Sequence, residues 1–89
     1  MYELELTITP QNKNGKWSKR NKKQRVAGFP TKSKARDYTQ TAVKHACKLI
    51  PCATNVYFAE VFILHNGNYI DVDTSVVEYQ PKSDQIIFN

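Results

Sequence analysis

Seven cationic side chains fall within thirteen residues of this chain: Lys13, Lys16, Lys19, Arg20, Lys22, Lys23 and Arg25, with no acid among them. Cations at this density suit one kind of chemistry. Each one that neutralises a phosphate releases condensed counterions, so a run of them supplies most of a sequence-independent affinity for nucleic acid. Trp17 lies inside the run and offers a ring on which a base stacks or a cation rests. Lys32, Lys34, Arg36, Lys44 and Lys48 follow, so that twelve of the thirteen Lys and Arg residues lie between Lys13 and Lys48, where Asp37 is the only acid. That segment sums to +11, residues 1–12 to −2 and residues 49–89 to −4, for a net charge of +5. Such polarisation bears on partners and association rates rather than on fold. The expected binding surface is therefore Lys13, Lys16, Trp17, Lys19, Arg20, Lys22, Lys23, Arg25, Lys32, Lys34 and Arg36. Its bland alternative is a solvated loop that keeps a small sheet soluble, with Trp17 folded into the core.

Other chemistries find less support. His45, Cys47, Cys52 and His65 count as four metal-ligand types, but their spacing matches no zinc pattern, and His45 and Cys47 would lie about 200° apart on a helix. No nucleophile elbow, phosphate-binding loop or Cys–His arrangement is present. A chain of 89 residues has little room for both a core and a substrate cavity of several hundred Å³. No catalytic residue, metal ligand or cofactor is expected, and the chain reads as a non-enzymatic binding protein. Two cysteines without an export signal read as free thiols. No apolar run approaches the ~20 residues of a membrane span, so a cytoplasmic protein without membrane contact is expected.

The elements that must position the cations follow from periodicity. Tyr2, Leu4, Leu6 and Ile8 alternate with Glu3, Glu5, Thr7 and Thr9, the pattern of a half-buried antiparallel strand, and Pro10 ends it. Asn14-Gly15 signals a two-residue type I′ hairpin turn, with Lys16, Trp17 and Ser18 returning. Gln24 to Phe29 reads as a short strand with Gly28 as a candidate bulge. Thr31 or Ser33 caps a helix on which Ala35, Tyr38, Ala42, Val43, Ala46, Leu49 and Ile50 share one face, stopped by Pro51. Asn55 to His65 and Tyr69 to Thr74 form a second hairpin about Asn66-Gly67.

Counting outward from that turn pairs Leu64 with Tyr69, Ile63 with Ile70, Phe62 with Asp71, Val61 with Val72 and Glu60 with Asp73. The core face then holds Tyr57, Ala59, Val61, Ile63, Ile70 and Val72. The outer face holds Phe58, Phe62, Leu64 and Tyr69 beside Glu60, Asp71 and Asp73. Those acids read as a cation site, a DNA-like decoy or an interface for a basic protein, or else are neutralised by the chain's own basic loop folding back. Phe58, Phe62 and Tyr69 form a second candidate interface, a seam for a homodimer or a larger assembly, unless Ile86, Ile87 and Phe88 cover them. Val76 to Tyr79 reads as one further strand and Pro81 to Asp84 as a turn. The order β-β-α-β-β-β predicts a single α+β domain over 1–89: an antiparallel sheet of four to five strands with one amphipathic helix packed on it.

Two resemblances add expectations. Gly15-Lys16-Trp17, Arg25-Val26-Ala27-Gly28-Phe29 and Thr31-Lys32-Ser33-Lys34-Ala35 resemble the arm-type DNA-binding domains of phage and transposon integrases. Those domains place a three-stranded sheet in the major groove; this chain departs from them in the long hairpin after its helix. In size, element order and charge the whole chain is similar to small phage anti-CRISPR proteins, among them a type I-F inhibitor. That resemblance implies a phage or mobile-element inhibitor in a bacterial host, its basic loop and helix occupying the nucleic-acid-binding region of a CRISPR surveillance or effector complex. Lys32, Lys34 and Arg36 would be the matching cations. The partner is then a nucleoprotein complex or an acidic protein surface. A module that binds DNA or RNA directly through the ribbon 13–25 is the alternative, and a dimerising interaction module the third.

Overall fold

The computed structural model describes residues 1–89. Its elements are β1 (Tyr2–Pro10), β2 (Lys22–Phe29), α1 (Lys32–Lys48), β3 (Val56–His65), β4 (Asn68–Gln80) and β5 (Gln85–Phe88). All neighbouring strands are antiparallel, in the order β2-β1-β3-β4-β5. The expected α+β class and element order hold, with five strands. The helix lies on one face, and its buried Ala35, Ala42, Val43, Ala46 and Cys47 meet Leu4, Leu6, Ile8, Tyr57, Ala59, Val61, Ile63, Val77 and Tyr79. Small side chains on the helix let it approach the sheet closely, while Leu, Ile and Tyr from the strands fill the layer between.

Local signals explain most boundaries. Thr31 is the N-cap, its hydroxyl accepting from Lys34 N at 3.1 Å, which satisfies one of the free amides of the first turn. Leu49, expected on the apolar face, instead forms the C-cap and is 60% exposed, because the helix ends before it can turn inward. Tyr57 stitches that end to the sheet, donating from its hydroxyl to the carbonyls of Cys47 and Ile50 at 3.0 Å each.

Asn66 and Gly67 take φ of 51° and 82°, the left-handed pair that a type I′ turn requires. Asn14-Gly15 does not repeat this. Only Gly15 has positive φ, 82°; its N–H donates to Asn12 O at 3.0 Å while Asn12 N–H donates to Lys16 O at 2.7 Å. That is a three-residue turn closed by a left-handed glycine. The returning strand shrinks to a single pairing of Trp17 with Gln11.

Two bulges reset which side chains face the helix. On β2, Tyr2 pairs with Phe29 but Leu4 with Val26. The extra residue, near Gly28 at φ 95°, lets both Val26 and Phe29 face the helix, and Phe29 packs on Tyr38. On β4, Leu64 pairs with Tyr69 as expected, but Ile63 pairs with Asp71, Phe62 with Val72 and Val61 with Asp73. Ile70 is the inserted residue. Consequently Ile70 and Val72 leave the core, at 42% and 55% exposure, and Asp71 and Asp73 move from the outer face to the helix side.

The cause lies further along the strand. Val77 and Tyr79 must face the helix, the turn sends Tyr69 outward, and these odd-numbered positions would share a face in a regular strand. Val76 to Tyr79 is accordingly the end of β4 rather than a strand of its own. β5 pairs with the end of β4, so Ile86, Ile87 and Phe88 extend the sheet edge and do not cover the outer face.

Candidate nucleic-acid interface

Of the twelve early cations, five form ion pairs and seven do not. Arg36 reaches Asp71 at 2.8 Å and Lys32 reaches it at 3.5 Å. Lys44 and Lys48 both meet Asp84, at 3.4 and 3.3 Å. Arg25 holds Glu5 at 2.8 Å. These five are engaged by the protein's own carboxylates, so only part of the expected loop-and-helix surface consists of unpaired cations. Among the three cations carried over from the anti-CRISPR resemblance, only Lys34 makes no ion pair, because the β4 bulge delivers Asp71 beneath Lys32 and Arg36.

Lys13, Lys16, Lys19, Arg20, Lys22 and Lys23 make no ion pair. They are exposed except Lys22, which is half-buried. The ribbon that carries them is anchored at its base. Gln11 N–H donates to Val56 O at 2.8 Å, and Thr54 donates to Gln11 O at 3.2 Å. Within the tip, Gln11 Nε2 donates to Gly15 O and Lys16 N to Asn14 Oδ1, both at 3.0 Å. Ser18 N–H returns to Pro10 O at 2.8 Å, and residues 18–21 belong to no strand before β2 begins at Lys22. Trp17 is not in the core: it is 41% exposed and leans on Phe58 with ring centroids 5.7 Å apart.

Trp17 therefore joins the ribbon to the outer face of the sheet, which no helix covers. There Phe62 and Tyr69 meet edge to face at 5.2 Å, and Tyr69 donates to Glu5 Oε1 at 3.0 Å. Arg25, and then Tyr69, hold the Glu5 carboxyl below its ordinary value. The chain Arg25–Glu5–Tyr69 crosses the sheet, and Leu64, opposite Tyr69 in register, is buried on this side. Glu3, Glu60 and Glu78 on the same face make no ion pair, so this face is acidic as well as aromatic. The expected Phe58, Phe62 and Tyr69 patch thus exists, although Phe58 and Phe62 are half-buried by their neighbours.

On the helix side, Asp84 was not singled out by sequence, yet it gathers Tyr79, Lys44 and Lys48. Tyr79 donates to it at 2.8 Å, and this bond, then Lys48, holds its carboxyl below the usual range. The Pro81–Asp84 turn was the signal available in the sequence, and Asp84 closes it at a φ of 53°. Arg36 likewise holds Asp71 low.

No group of three or more His, Cys, Asp or Glu side chains comes together. Burial pushes the Cys47 thiol up to about 12. Burial also opposes ionisation of Cys52, but its hydrogen bonds, led by that with Thr54, outweigh this and leave it below its ordinary value. Both cysteines are free. No helix is long and apolar enough to cross a membrane. Comparison of the chain with protein-family models, curated proteins and solved structures gives no match.

Proposed function

We propose that the chain is a non-catalytic binding protein that takes a nucleic-acid backbone on the ribbon Lys13–Lys23, with Trp17 as a stacking anchor. One observation carries this: six cations within eleven residues lack any internal partner, whereas the helix cations that ion-pair are spent on holding the fold. The sheet's outer face, with its free glutamates, repels phosphate, so the strand path runs along the ribbon and not across the sheet. Direct binding through the ribbon, as in the integrase-like reading, fits this division better than a helix-centred surface.

The test is a salt titration of binding to a 20-base-pair duplex, followed by fluorescence anisotropy. If all six cations meet phosphates, the logarithm of affinity falls against the logarithm of salt with a slope of about −5. A slope near zero, or no binding at low salt, removes the proposal.

The inhibitor reading draws on a different observation, the aromatic outer face that Trp17 makes continuous with the ribbon. An anti-CRISPR-like protein of this shape would seat both against a nucleoprotein complex. It would bind free duplex poorly, co-purify with the complex, and lose that association on Phe62→Asp.

A further inference from the structure

We propose that the nucleic acid this chain takes is single-stranded, with one unpaired base stacked on Trp17 beside Phe58; this rests on the ribbon's phosphate binding and names the kind of strand it accepts. The two sides of the ribbon are unlike. On one, Lys13, Ser18 and Arg20 join Ile50 and Pro51 around a cavity of about 300 Å³ that no carboxylate lines. On the other, Trp17 leans on Phe58 and the surface passes into the outer face of the sheet. Trp17 pairs with Gln11, Gln11 N–H donates to Val56 O, and Val56 pairs with Glu78. Trp17 and Glu78 therefore stand in one row across the strands. Glu60 is the next outward residue after Phe58 on β3, and neither carboxylate makes an ion pair. Along the sheet, the indole ring is flanked by two charges of the same sign as phosphate.

That asymmetry separates two kinds of nucleic acid. A two-stranded ribbon fits the major groove of a duplex, but both walls of the groove are phosphate backbone. One wall would then lie against Glu60 and Glu78. Bases within a duplex also stack on one another and leave no face for an indole ring. A single strand carries phosphates along one edge and free bases along the other. Its phosphates meet the six unpaired cations while a base turns to Trp17, and no phosphate is forced onto the sheet.

The ring is placed for this contact. It is 41% exposed, and its tilt of 51° to Phe58 keeps the two rings from covering each other. Phe58 also holds it, so less side-chain freedom is lost when a base arrives. Stacking on one aromatic side chain is worth roughly five- to 150-fold in affinity per base.

Trp17 is the only tryptophan, so its emission reports on the site directly. The probes are an oligothymidine of about twelve nucleotides, within the usual site size of single-strand binders, an abasic strand of equal length and a blunt duplex of equal length. The oligothymidine quenches the emission and binds at least about tenfold more tightly than the duplex. The abasic strand keeps the salt dependence, with a slope of about −4 for six phosphates, but it neither quenches nor binds as tightly. Glu60→Gln with Glu78→Gln strengthens duplex binding and narrows the preference. Trp17→Leu, followed by anisotropy, narrows it from the other side, and Trp17→Tyr restores most of it. Equal affinity for strand and duplex, quenching by the abasic strand, or tight single-strand binding without quenching overturns the inference and leaves the ribbon's phosphate binding standing. No binding of any of the three probes at low salt removes both.

Discussion

The helix and the ribbon carry comparable charge and use it in opposite ways. On α1, Lys32 and Arg36 converge on Asp71, and Lys44 and Lys48 on Asp84. Each acid lies on the β3–β4–β5 half of the sheet, so these pairs fasten the helix to the half that its apolar contacts with β1 hold least directly. The ribbon's six cations make no ion pair, although Lys23, at the start of β2, still acts on the Glu5 carboxyl, and they repel one another in water. Charge that a fold does not neutralise costs solvation nothing while exposed, but it lowers stability through self-repulsion. A partner of opposite sign relieves that repulsion. Sequence density of Lys and Arg is thus a poor guide to a binding surface; what counts is which cations find no internal acid.

The sharpest way to break the comparison is to reverse charge in each region separately. Replacing Lys13, Lys16, Lys19 and Arg20 by Glu moves duplex binding beyond the weak, roughly 10⁻⁴ M limit of non-specific association and leaves the thermal midpoint nearly unchanged. The double variant Lys44→Glu with Lys48→Glu sets two new carboxylates against Asp84. It lowers the midpoint clearly, while duplex affinity at about 0.15 M salt stays within about a factor of ten, since both lysines are already paired with Asp84. Equal loss of binding in both variants would mean that the two basic regions act as one surface.

Acid titration gives the next largest contrast. Asp71, Asp84 and Glu5 are all held below their ordinary carboxylate values, by Arg36, by Tyr79 and by Arg25 in turn. A depressed carboxylate stabilises the fold above its unfolded value of about 4, and that contribution is lost as pH falls through the folded value. The thermal midpoint therefore drops between pH 5 and pH 2. Asp84→Asn starts lower at neutral pH and falls less steeply. The fourfold ribbon variant keeps its parent's dependence on Asp71, Asp84 and Glu5, because no ribbon cation pairs with them.

How much of this was legible from residues alone depends on where a face was decided. Alternation in β1 and the three- and four-residue spacing on α1 specify one apolar side each, and both elements lie as that pattern requires. The bulge near Gly28 announced itself by a residue suited to positive φ. The bulge at Ile70 had no such mark: an isoleucine between a tyrosine and an aspartate reads as regular strand. Only the competing demands of Tyr69 and Val77 across one unbroken strand reveal it, and a break assumed between Thr74 and Val76 hid that conflict. That register put Asp71 on the outer face and so gave Lys32 and Arg36 no partner. Pairings that join Lys44 to Asp84 across forty residues of chain leave no local signature at all.

The smallest effect distinguishes the two Asn-Gly turns. Gly15 and Gly67 share a φ of 82°, and a methyl group added at either would meet no atom within 4 Å. Alanine at either position therefore pays only for the left-handed backbone, about 1–2 kcal/mol. The two losses differ in what they disturb. At Gly67 the turn is held by the long β3–β4 ladder, so strain lowers the midpoint and the ribbon keeps its shape and its affinity. At Gly15 the tip is held by its own short turn bonds, a single pairing beyond β1 and a few side-chain bonds, with no long ladder behind it, so the ribbon relaxes locally instead. Gly15→Ala then leaves the global midpoint nearly unaltered but loosens the spacing of Lys13, Lys16 and Trp17, and duplex affinity falls severalfold. A Gly15→Ala variant that unfolds earlier yet binds as well as its parent would show that the ribbon is part of the cooperative fold and that its cations act without a fixed arrangement.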